Sequence, residues 1–493
     1  MNYTSTRNNK ISILGAQAIV KGLSGEGGLF VPSGFPALTQ DDFNALCNME
    51  YSERAAFIIA KFLPELAAEL PQFCSLAYSK FEDNDPAPLI KIGDNRYMLE
   101  LWHGPTYAFK DVALTLLPHL LVASKQKLGD TTDTLILVAT SGDTGKAALE
   151  GFKDIGGTRV VVLYPKDGVS ALQKLQMQTT TGGNVRVFGI KGNFDDAQNA
   201  VKEVFADIDI AEKLAVQNVK LSSANSINFG RLVPQIVYYF SSYTDLINSR
   251  QVKYGDKINF CVPTGNFGNI LAGYYAMRMG LPVNKLICAS NSNKVLADFF
   301  NKGEYNLKGR EFHCTTSPSM DILISSNLER LLFELFGRDS AAVVRCMQSL
   351  NSSKISYKIT ATELTNLQKY FYADFATEDE VADTLAQEFD DSGYIVDPHT
   401  AVALCVYKKY VKQTRDKTPT VILSTASPYK FAADVLEMTG ERASTNDKKN
   451  ISALEDLTAL PIPATLKELF KLPLLHSEVI DKGTVQRLVI RVN

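Results

Sequence analysis

The sequence of 493 residues has few cysteines and no sign of a disulfide framework. Its seven cysteines are scattered, none forms a Cys-x-x-Cys pair, and none lies at a spacing that metal sites share with histidine. An odd number of scattered thiols is typical of a protein that stays reduced, so we expect a cytosolic location. The pattern predicts neither a disulfide-stapled fold nor a bound metal.

Long apolar runs and an excess of positive charge are also missing. No run approaches the ~20 residues that a membrane span needs, and the polar start of the sequence carries no export or anchoring signal. The formal net charge of -3 provides no long-range attraction for nucleic acid. We therefore expect neither a membrane nor a nucleic acid as partner.

What the sequence does contain is a recurring unit: a short apolar, β-branched run, then a turn of small residues, then a helical pattern. The runs lie at residues 135–139, 160–164, 185–188, 258–262, 286–289 and 421–423. This alternation is typical of parallel sheets covered by helices. Together with the length of the chain, it predicts an α/β fold with two parallel-sheet domains and a cleft between them.

The two ends of the chain have a different pattern. A glycine-rich turn at 24–28 precedes a short strand at 29–32 that a proline ends. We predict an N-terminal domain at 1–100, a small domain at 101–235 and a large domain at 236–493. Within the last, we expect a surface loop at residues 441–450, followed by a closing helix and strand.

Lys110 follows a Gly-Pro turn in the string His-Gly-Pro-Thr-Tyr-Ala-Phe-Lys-Asp and precedes an apolar helical stretch. Desolvation lowers the pKa of a lysine and increases the neutral amine that attacks an aldehyde. A lysine that forms a Schiff base, for example with pyridoxal phosphate, would be placed in this way. The alternative is a helix-start lysine that reaches into solvent.

Three loops could complete such a site. Gly265, Asn266, Phe267, Gly268 and Asn269 follow a predicted strand and precede a predicted helix at 270–279, where free amides favour an anion. The alternative for this loop is a strand-to-helix turn without a ligand.

The second loop, residues 140–146, also joins a strand to a helix. It fails the P-loop pattern because Thr140 and Ala147 replace the first glycine and the final Ser/Thr, and it is not Gly-x-Gly-x-x-Gly either. Its hydroxyls and amides suit a carboxylate, or they form a polar cap without a ligand.

In the third loop, Arg231 ends a polar segment at 222–231 just as an apolar helix begins at 232–240. Its guanidinium could hold a phosphate through two parallel hydrogen bonds. Taken alone, the segment is equally a capped helix with a surface arginine. The lysine and all three loops together indicate one cofactor site.

Together, the strings resemble the threonine synthase family of pyridoxal phosphate enzymes, whose fold type is that of tryptophan synthase β. The resemblance runs through residues 3–7, 27–32, 103–111, 140–148, 225–231, 263–269, 318–322, 397–401 and 424–431. The strings at 318–322 and 397–401 are similar to the longer, microbial and fungal branch. The resemblance implies two parallel-sheet domains of the tryptophan synthase β-like fold with an N-terminal extension, in a monomer.

The resemblance also implies a role for each site residue. Lys110 would carry pyridoxal phosphate, the loop 265–269 would hold the cofactor phosphate, and Thr425 would face the pyridine nitrogen. The remaining residues would bind the ring 3-hydroxyl (Asp143), the substrate carboxylate (Ser141 and Thr144) and the substrate phosphate (Asn225, Ser226 and Arg231). Asp143 stands where dehydratases carry asparagine, which leaves the contact with the 3-hydroxyl open.

The implied reaction is the conversion of O-phosphohomoserine and water to threonine and phosphate. Three alternatives stay open: a phospho-lyase that releases 2-oxobutyrate from the same substrate, a dehydratase of free serine or threonine, and a binding protein without cofactor. Among the histidines, we expect His103 to line the pocket wall or to have a hydrogen-bonded structural role, with an acid-base role as the alternative, and His399 to be a first-turn helix residue.

Overall fold

The computed structural model describes residues 1–82, 85–140, 142–353 and 355–491. These residues form sixteen strands, twenty-two α-helices and four short 3₁₀ turns. The strands build a sheet of six, a sheet of five, an N-terminal sheet of three and a ribbon of two.

The strands, in chain order, are β1 Asn2–Ser5, β2 Asn8–Leu14, β3 Phe30–Pro32, β4 Leu89–Gly93, β5 Arg96–Glu100, β6 Asp133–Ala139, β7 Thr158–Pro165, β8 Val185–Lys191, β9 Val219–Ser222, β10 Ile258–Pro263, β11 Val283–Ser290, β12 Glu304–Asn306, β13 Ser356–Lys358, β14 Phe371–Phe375, β15 Thr420–Ser424 and β16 Val479–Asp481.

The helices are α1 Gly15–Lys21, α2 Gln40–Leu46, α3 Tyr51–Phe62, α4 Leu70–Tyr78, α5 Lys110–Leu114, α6 Leu117–Lys127, α7 Asp143–Phe152, α8 Ala171–Gln178, α9 Phe194–Ala206, α10 Ile208–Val216, α11 Phe229–Asn248, α12 Gly268–Arg278, α13 Val295–Lys302, α14 Leu328–Leu335, α15 Ser340–Leu350, α16 Ala361–Gln368, α17 Glu378–Ser392, α18 Pro398–Thr414, α19 Ala432–Met438, α20 Asp447–Thr458, α21 Ala464–Leu469 and α22 Val485–Arg491. Within the described ranges, no helix is long and apolar enough to cross a membrane.

The large sheet has the order β14-β11-β10-β15-β5-β4. All its neighbours are parallel except β4, which pairs antiparallel with β5 at the edge. Every residue of β10 and β15 is buried, as expected for central strands that helices cover on both faces. The carboxyl ends of these two strands lead into the loop 265–269 and into Thr425, so the sheet brings these two predicted site segments to one edge.

The small sheet has the order β16-β8-β7-β6-β9, and all its neighbouring strands are parallel. Its strands come from residues 133–222, except β16, which returns from the C-terminal part of the chain to pair with β8. The carboxyl end of β6 leads to Thr140, and α7 begins at Asp143, so residues 143–146 of the predicted loop are helical. The fold thus brings a third predicted loop to the carboxyl edge of its own sheet, where ligands of parallel sheets bind.

The N-terminal segment shares an apolar core with the large-sheet half, and a few buried polar contacts add to this packing. Arg330, which is fully buried, donates to the carbonyl oxygen of Phe30 at 3.0 Å and to that of Ile227 at 2.5 Å. Arg54 of α3 pairs with Asp245 of α11 at 2.8 Å. These contacts fix the N-terminal sheet beside the segment that precedes α11.

The predicted α/β fold with two parallel sheets is confirmed, and each of the six apolar runs lies in a strand, namely β6, β7, β8, β10, β11 and β15. The short strand after the glycine-rich turn is also present as β3. The expected loop at 441–450 is wrong in its last part, because Asn446 caps the backbone N–H of Lys449 and α20 begins at Asp447. The domain limits at 100 and 235 stay a prediction.

Gly151 makes the contact between α7 and α5 possible. A Cβ atom at Gly151 would lie 2.0 Å from the carbonyl oxygen of Leu114, which is backbone and has no rotamer to change. We expect Gly151→Ala to lower the free energy of unfolding by about 1–3 kcal/mol, as overpacking does. Urea denaturation measures this. The control Gly156→Ala, where a Cβ meets nothing within 4 Å, should unfold as the wild type; equal midpoints for both variants would contradict the prediction.

Candidate active site

Lys110 is the first residue of α5, and a buried carboxylate shapes the turn in front of it. Asp111 accepts hydrogen bonds from the backbone N–H of Thr106 at 2.8 Å and from its hydroxyl at 2.6 Å. Burial raises the pKa of Asp111 to about 6, while Thr106 opposes the shift. Tyr107 takes a left-handed backbone conformation in this turn, with φ 59°. The turn therefore fixes the direction in which Lys110 leaves the helix start.

The amine of Lys110 lies in a buried polar cluster. Nζ donates to Asp143 Oδ2 at 3.2 Å and to Ser319 Oγ at 3.1 Å, and the side chain is only 11% exposed. Burial lowers the pKa of Lys110 below its ordinary value; Asp143 opposes this shift, and the charges of Lys430 and Arg231 add to it. Burial therefore increases the fraction of neutral amine at Lys110 relative to an exposed lysine.

Asp143, the first residue of α7, connects the small-sheet half to the large-sheet half. Its Oδ1 pairs with Lys430 Nζ at 2.6 Å and accepts from Gln173 Nε2 at 3.0 Å. Its Oδ2 accepts from Ser319 Oγ at 3.2 Å. Burial alone would raise the pKa of Asp143, but Lys430 and Lys110 outweigh burial and hold it well below its usual range. Asp143 is therefore a permanent carboxylate beside Lys110.

Lys430 is a second buried amine of this cluster, and the sequence analysis gave it no role. Its side chain is 0% exposed, and besides Asp143 it donates to the carbonyl oxygen of Thr106 at 2.8 Å. A signal was present, since Lys430 stands between Tyr429 and Phe431 much as Lys110 follows Phe109. A lysine flanked by aromatic residues, within the family string at 424–431, is typical of a buried position.

In the predicted loop 265–269, residues 265–267 join β10 to α12 and residues 268–269 already belong to that helix; Phe267 lies in the left-handed region, φ 64°. Gly265 has no room for a side chain, because a Cβ would lie 2.7 Å from the carbonyl oxygen of Ser319. Asn269 accepts from the hydroxyls of Tyr238 at 2.6 Å and Tyr239 at 2.9 Å through its Oδ1.

This arrangement leaves the other side-chain atom of Asn269 free. Nδ2 is buried and has no hydrogen-bond partner among the described residues, which is costly unless a ligand accepts from it. The donor lies in the first turn of an eleven-residue helix, where the backbone also favours negative charge. The loop therefore fits an anion such as a phosphate group.

Thr425 follows β15 and lies directly beside the lysine segment. Its carbonyl oxygen accepts from the backbone N–H of Phe109 at 2.9 Å, and its own N–H donates to Thr400 Oγ1 at 3.3 Å. A bridge between Ala108 and Ala426 adds to this contact. Two segments that are more than 300 residues apart in the sequence thus meet next to Lys110.

Arg231 lies in the first turn of α11, and its guanidinium is buried, not on the surface. Nη1 donates to the carbonyl oxygen of Ala224 at 2.7 Å, while the buried Nε has no partner in the described part of the chain. Burial lowers the pKa of Arg231 to about 10, so it stays a cation at neutral pH. Within the described residues no carboxylate pairs with it, so its charge calls for an anionic ligand.

The structure gives less direct support for the roles of the other predicted site residues. Ser226 Oγ accepts from Asn327 Nδ2 at 3.2 Å, and the same amide donates to the carbonyl oxygen of Asn266 at 3.0 Å, which links the segment at 222–231 to the loop 265–269. Asn225 is exposed, and Thr144 lies in the first turn of α7. Ser141 lies outside the described residues. The roles of all these residues stay predictions.

His103 and His399 both have defined hydrogen-bond partners in the structure. His103 Nε2 contacts Glu100 Oε2 at 2.7 Å, so its hydrogen-bonded role is confirmed. His399 lies in the first turn of α18, as expected, but its ring also reaches Ser319 beside Lys110. No spacing in the sequence indicates this second contact.

Comparison with known proteins adds independent findings. The sequence matches the family described as threonine synthase N terminus over residues 2–78, pyridoxal-phosphate dependent enzyme over 90–426, and threonine synthase, C-terminal, over 400–488. It is 37% identical to threonine synthase of Pseudomonas aeruginosa, over 87% of this chain and 89% of that protein. A crystal structure of PLP-bound threonine synthase from Brucella melitensis superposes with a TM-score of 0.89 at 36% identity, covering 100% and 99% of the two chains.

A longer relative is also similar. Threonine synthase-like 1 of Homo sapiens is 40% identical over 434 residues, which are 86% of this chain. The match spans only 57% of the length of that relative.

Proposed function

Since this chain belongs to the threonine synthase family of pyridoxal-phosphate-dependent enzymes, we propose that it converts O-phospho-L-homoserine and water to L-threonine and phosphate. The observation that carries the proposal is that a largely buried amine, Lys110, lies within the electrostatic influence of a buried guanidinium, Arg231, that has no carboxylate partner in the described residues. The first suits attachment of an aldehyde, and the second suits a phosphorylated substrate.

The residues fit pyridoxal phosphate on two independent grounds. The buried amine of Lys110, with its lowered pKa, is suited to bond to the aldehyde. The unpartnered Nδ2 of Asn269 and the start of α12 are suited to hold the phosphate group. Gly265, Asn266, Phe267 and Gly268 would supply the backbone of this phosphate site.

Asp143 and Thr425 would contact the ring of the cofactor, at its 3-hydroxyl and its nitrogen. When bound, the cofactor supplies an aldehyde that condenses with amines and a ring that withdraws electrons from the attached carbons. The hydroxyl of Thr425 would contact the ring nitrogen without a negative charge, so it would not stabilise a proton there as a carboxylate would. Asp143, held ionised by Lys430, would accept the hydrogen of the 3-hydroxyl.

On the substrate side, Lys110 would act as the base and acid once its amine is released. It would take protons from the substrate carbons and return one at the end. Arg231, Asn225 and Ser226 would bind the substrate phosphate and stabilise its charge as it leaves. Ser141 and Thr144 would hold the carboxylate. We also propose closure of the small-sheet half over the cleft, because bulk water must be kept out until the substrate phosphate has left.

Location and assembly belong to the same proposal. All seven cysteines are free thiols, which supports a reducing, cytosolic environment. A monomer is proposed from the resemblance to the longer branch of the family.

The decisive assay supplies O-phosphohomoserine and measures threonine, phosphate and 2-oxobutyrate together. We expect threonine and phosphate in equal amounts. Release of 2-oxobutyrate instead of threonine would indicate the phospho-lyase, in which the unsaturated amino acid leaves without water adding at Cβ and its imine is then hydrolysed to the 2-oxo acid and ammonia. Equal turnover of free serine or threonine would indicate a dehydratase, which has no use for the buried charge of Arg231.

Lys430→Met tests the electrostatics of the cluster. Lys430 lowers the pKa of Lys110, so removing its charge should raise that pKa. Because the base must be neutral, the acid limb of the pH profile of kcat should move to higher pH, by about one unit for a lost charge at this distance. The matched control is Lys125→Met, another buried lysine, whose partners are Thr132 and Thr134. If the acid limb stayed in place or moved to lower pH, the charge of Lys430 would not be what lowers the pKa of Lys110.

A further inference from the structure

The turn at residues 317–321 lies between three parts of the active site. Its 3₁₀ segment, Pro318–Met320, presents the carbonyl oxygen of Ser319 to Gly265, where no side chain has room. The hydroxyl of Ser319 contacts both Lys110 Nζ and Asp143 Oδ2. Ser319 therefore adjoins the loop suited to the cofactor phosphate and, through its side chain, the reacting amine.

The hydrogen bonds at Lys110 determine where its lone pair lies. A neutral amine has two hydrogens and one lone pair. Ser319 Oγ accepts from Nζ at 3.1 Å and Asp143 Oδ2 accepts at 3.2 Å. Ser319 Oγ in turn donates its own hydrogen to Asp143 at 3.2 Å. With both hydrogens of the amine engaged, the lone pair must point away from these two acceptors.

His399 fixes the backbone of Ser319. Its Nε2 accepts the backbone N–H of Ser319 at 3.1 Å, so Nε2 carries no hydrogen. The hydrogen then lies on Nδ1, which donates to Asp397 Oδ2 at 2.7 Å. Asp397 is 0% exposed and also caps α18 by accepting from the backbone N–H groups of His399 and Thr400. One tautomer of His399 is thus held between a fixed carboxylate and Ser319.

We propose that Ser319 is a further catalytic residue, which orients the free amine of Lys110 for proton transfer, and that Asp397 and His399 are positioning residues that hold Ser319 in place. This inference rests on the proposed function, since it concerns Lys110 after the substrate has released its amine. Ser319 and His399 lie in the motifs at 318–322 and 397–401, to which the sequence alone assigns no role in catalysis.

The test uses holoenzyme and the variant Ser319→Ala, with O-phosphohomoserine as substrate. Loss of the hydroxyl that orients the neutral amine should lower kcat by about tenfold, the upper range for one hydrogen bond between neutral groups, with KM within about threefold of the wild type. The absorbance and content of bound cofactor at rest should not change, because Ser319 acts on the released amine. In a single turnover, recovery of the resting spectrum should slow by the same factor as kcat.

Two matched variants of His399 test the positioning role. Asparagine reaches the place of Nδ1 and keeps the bond to Asp397, but offers nothing to Ser319. Glutamine reaches the place of Nε2 and can accept from the N–H of Ser319. We expect His399→Asn to lower kcat by about tenfold and His399→Gln to keep it within about threefold. The control His119→Leu changes a histidine that stacks on Phe73 on another helix and should leave kcat unchanged.

The double variant Ser319→Ala/His399→Asn tests whether the histidine acts through the serine. If it does, the double variant should be no slower than Ser319→Ala, whereas independent roles would multiply the two losses. The inference is overturned if Ser319→Ala keeps kcat within twofold, if the two losses multiply, or if glutamine is as poor as asparagine. Should His399→Asn lose cofactor or fold, Ser319→Ala and His399→Gln decide. A wild type that forms no threonine and phosphate would instead refute the proposed function.

Discussion

Lys110→Ala should lower kcat by about 10³-fold or more, because one side chain is both the attachment point of the cofactor and the base and acid of the reaction. Acid-base catalysis alone contributes about 10²–10⁴-fold. In the described part of the chain, Lys110 is the lysine whose Nζ contacts both Asp143 Oδ2 and Ser319 Oγ. Lys430, the nearest candidate, is fully buried, and its Nζ is engaged by Asp143 and by the carbonyl oxygen of Thr106.

The rate of formation of threonine and phosphate measures this effect. Lys110→Arg keeps the positive charge but cannot form a bond to an aldehyde carbon at neutral pH, so it should be as inactive as the alanine variant. Lys125→Ala, at a buried lysine on α6, provides the control and should keep wild-type turnover. If Lys110→Arg retained substantial activity, the lysine would serve only as a charge, and the covalent role would be lost.

Arg231→Ala should lower kcat/KM for O-phosphohomoserine by about 10²–10³-fold. Loss of one partner from a buried charge pair costs about 3–5 kcal/mol, and each 1.4 kcal/mol is a factor of ten. The structure makes the guanidinium available, since its Nε is buried without a partner in the described residues and its Nη1 donates only to a carbonyl oxygen. The measurement is steady-state kinetics with the phosphorylated substrate.

Two comparisons separate phosphate binding from a structural effect. Inorganic phosphate should inhibit the wild type, and in Arg231→Ala its inhibition constant should rise roughly in step with the loss in kcat/KM. Arg278→Ala, at the C-terminal end of α12, removes a half-exposed arginine whose partners are Tyr274 and Glu334, and it should behave as the wild type. Unchanged inhibition by phosphate in Arg231→Ala would show that the substrate phosphate binds elsewhere.

The central strands could be predicted from the sequence because their signal is local. Buried parallel strands are short apolar runs with turn residues at their ends, and β7 and β10 have this pattern. Strands at sheet edges lack it. β16 has three residues and pairs with β8 across almost 300 positions. Its place depends on long-range packing that no short window of sequence contains.

The same division applies to the candidate site: residues beside a distinctive turn could be predicted from the sequence, and residues that depend on long-range contacts could not. Lys110, Asp143 and Arg231 each lie next to a turn with a distinctive composition; Asp143 and Arg231 are buried, and the side chain of Lys110 is 11% exposed. Ser319 and His399 were not predicted, because their contacts join residues 80 apart and link them to a lysine 209 positions from Ser319. Only the fold brings these segments together at the carboxyl edges of the sheets.

The most direct test of the account is reductive trapping of the purified enzyme. Borohydride reduces a carbon-nitrogen double bond between a lysine and the cofactor to a stable single bond, which survives digestion and can be located by mass spectrometry. We predict one pyridoxyl group per chain, on the peptide that contains Lys110. A label on Lys430 or any other lysine, or no label on a protein that is active, would contradict the account.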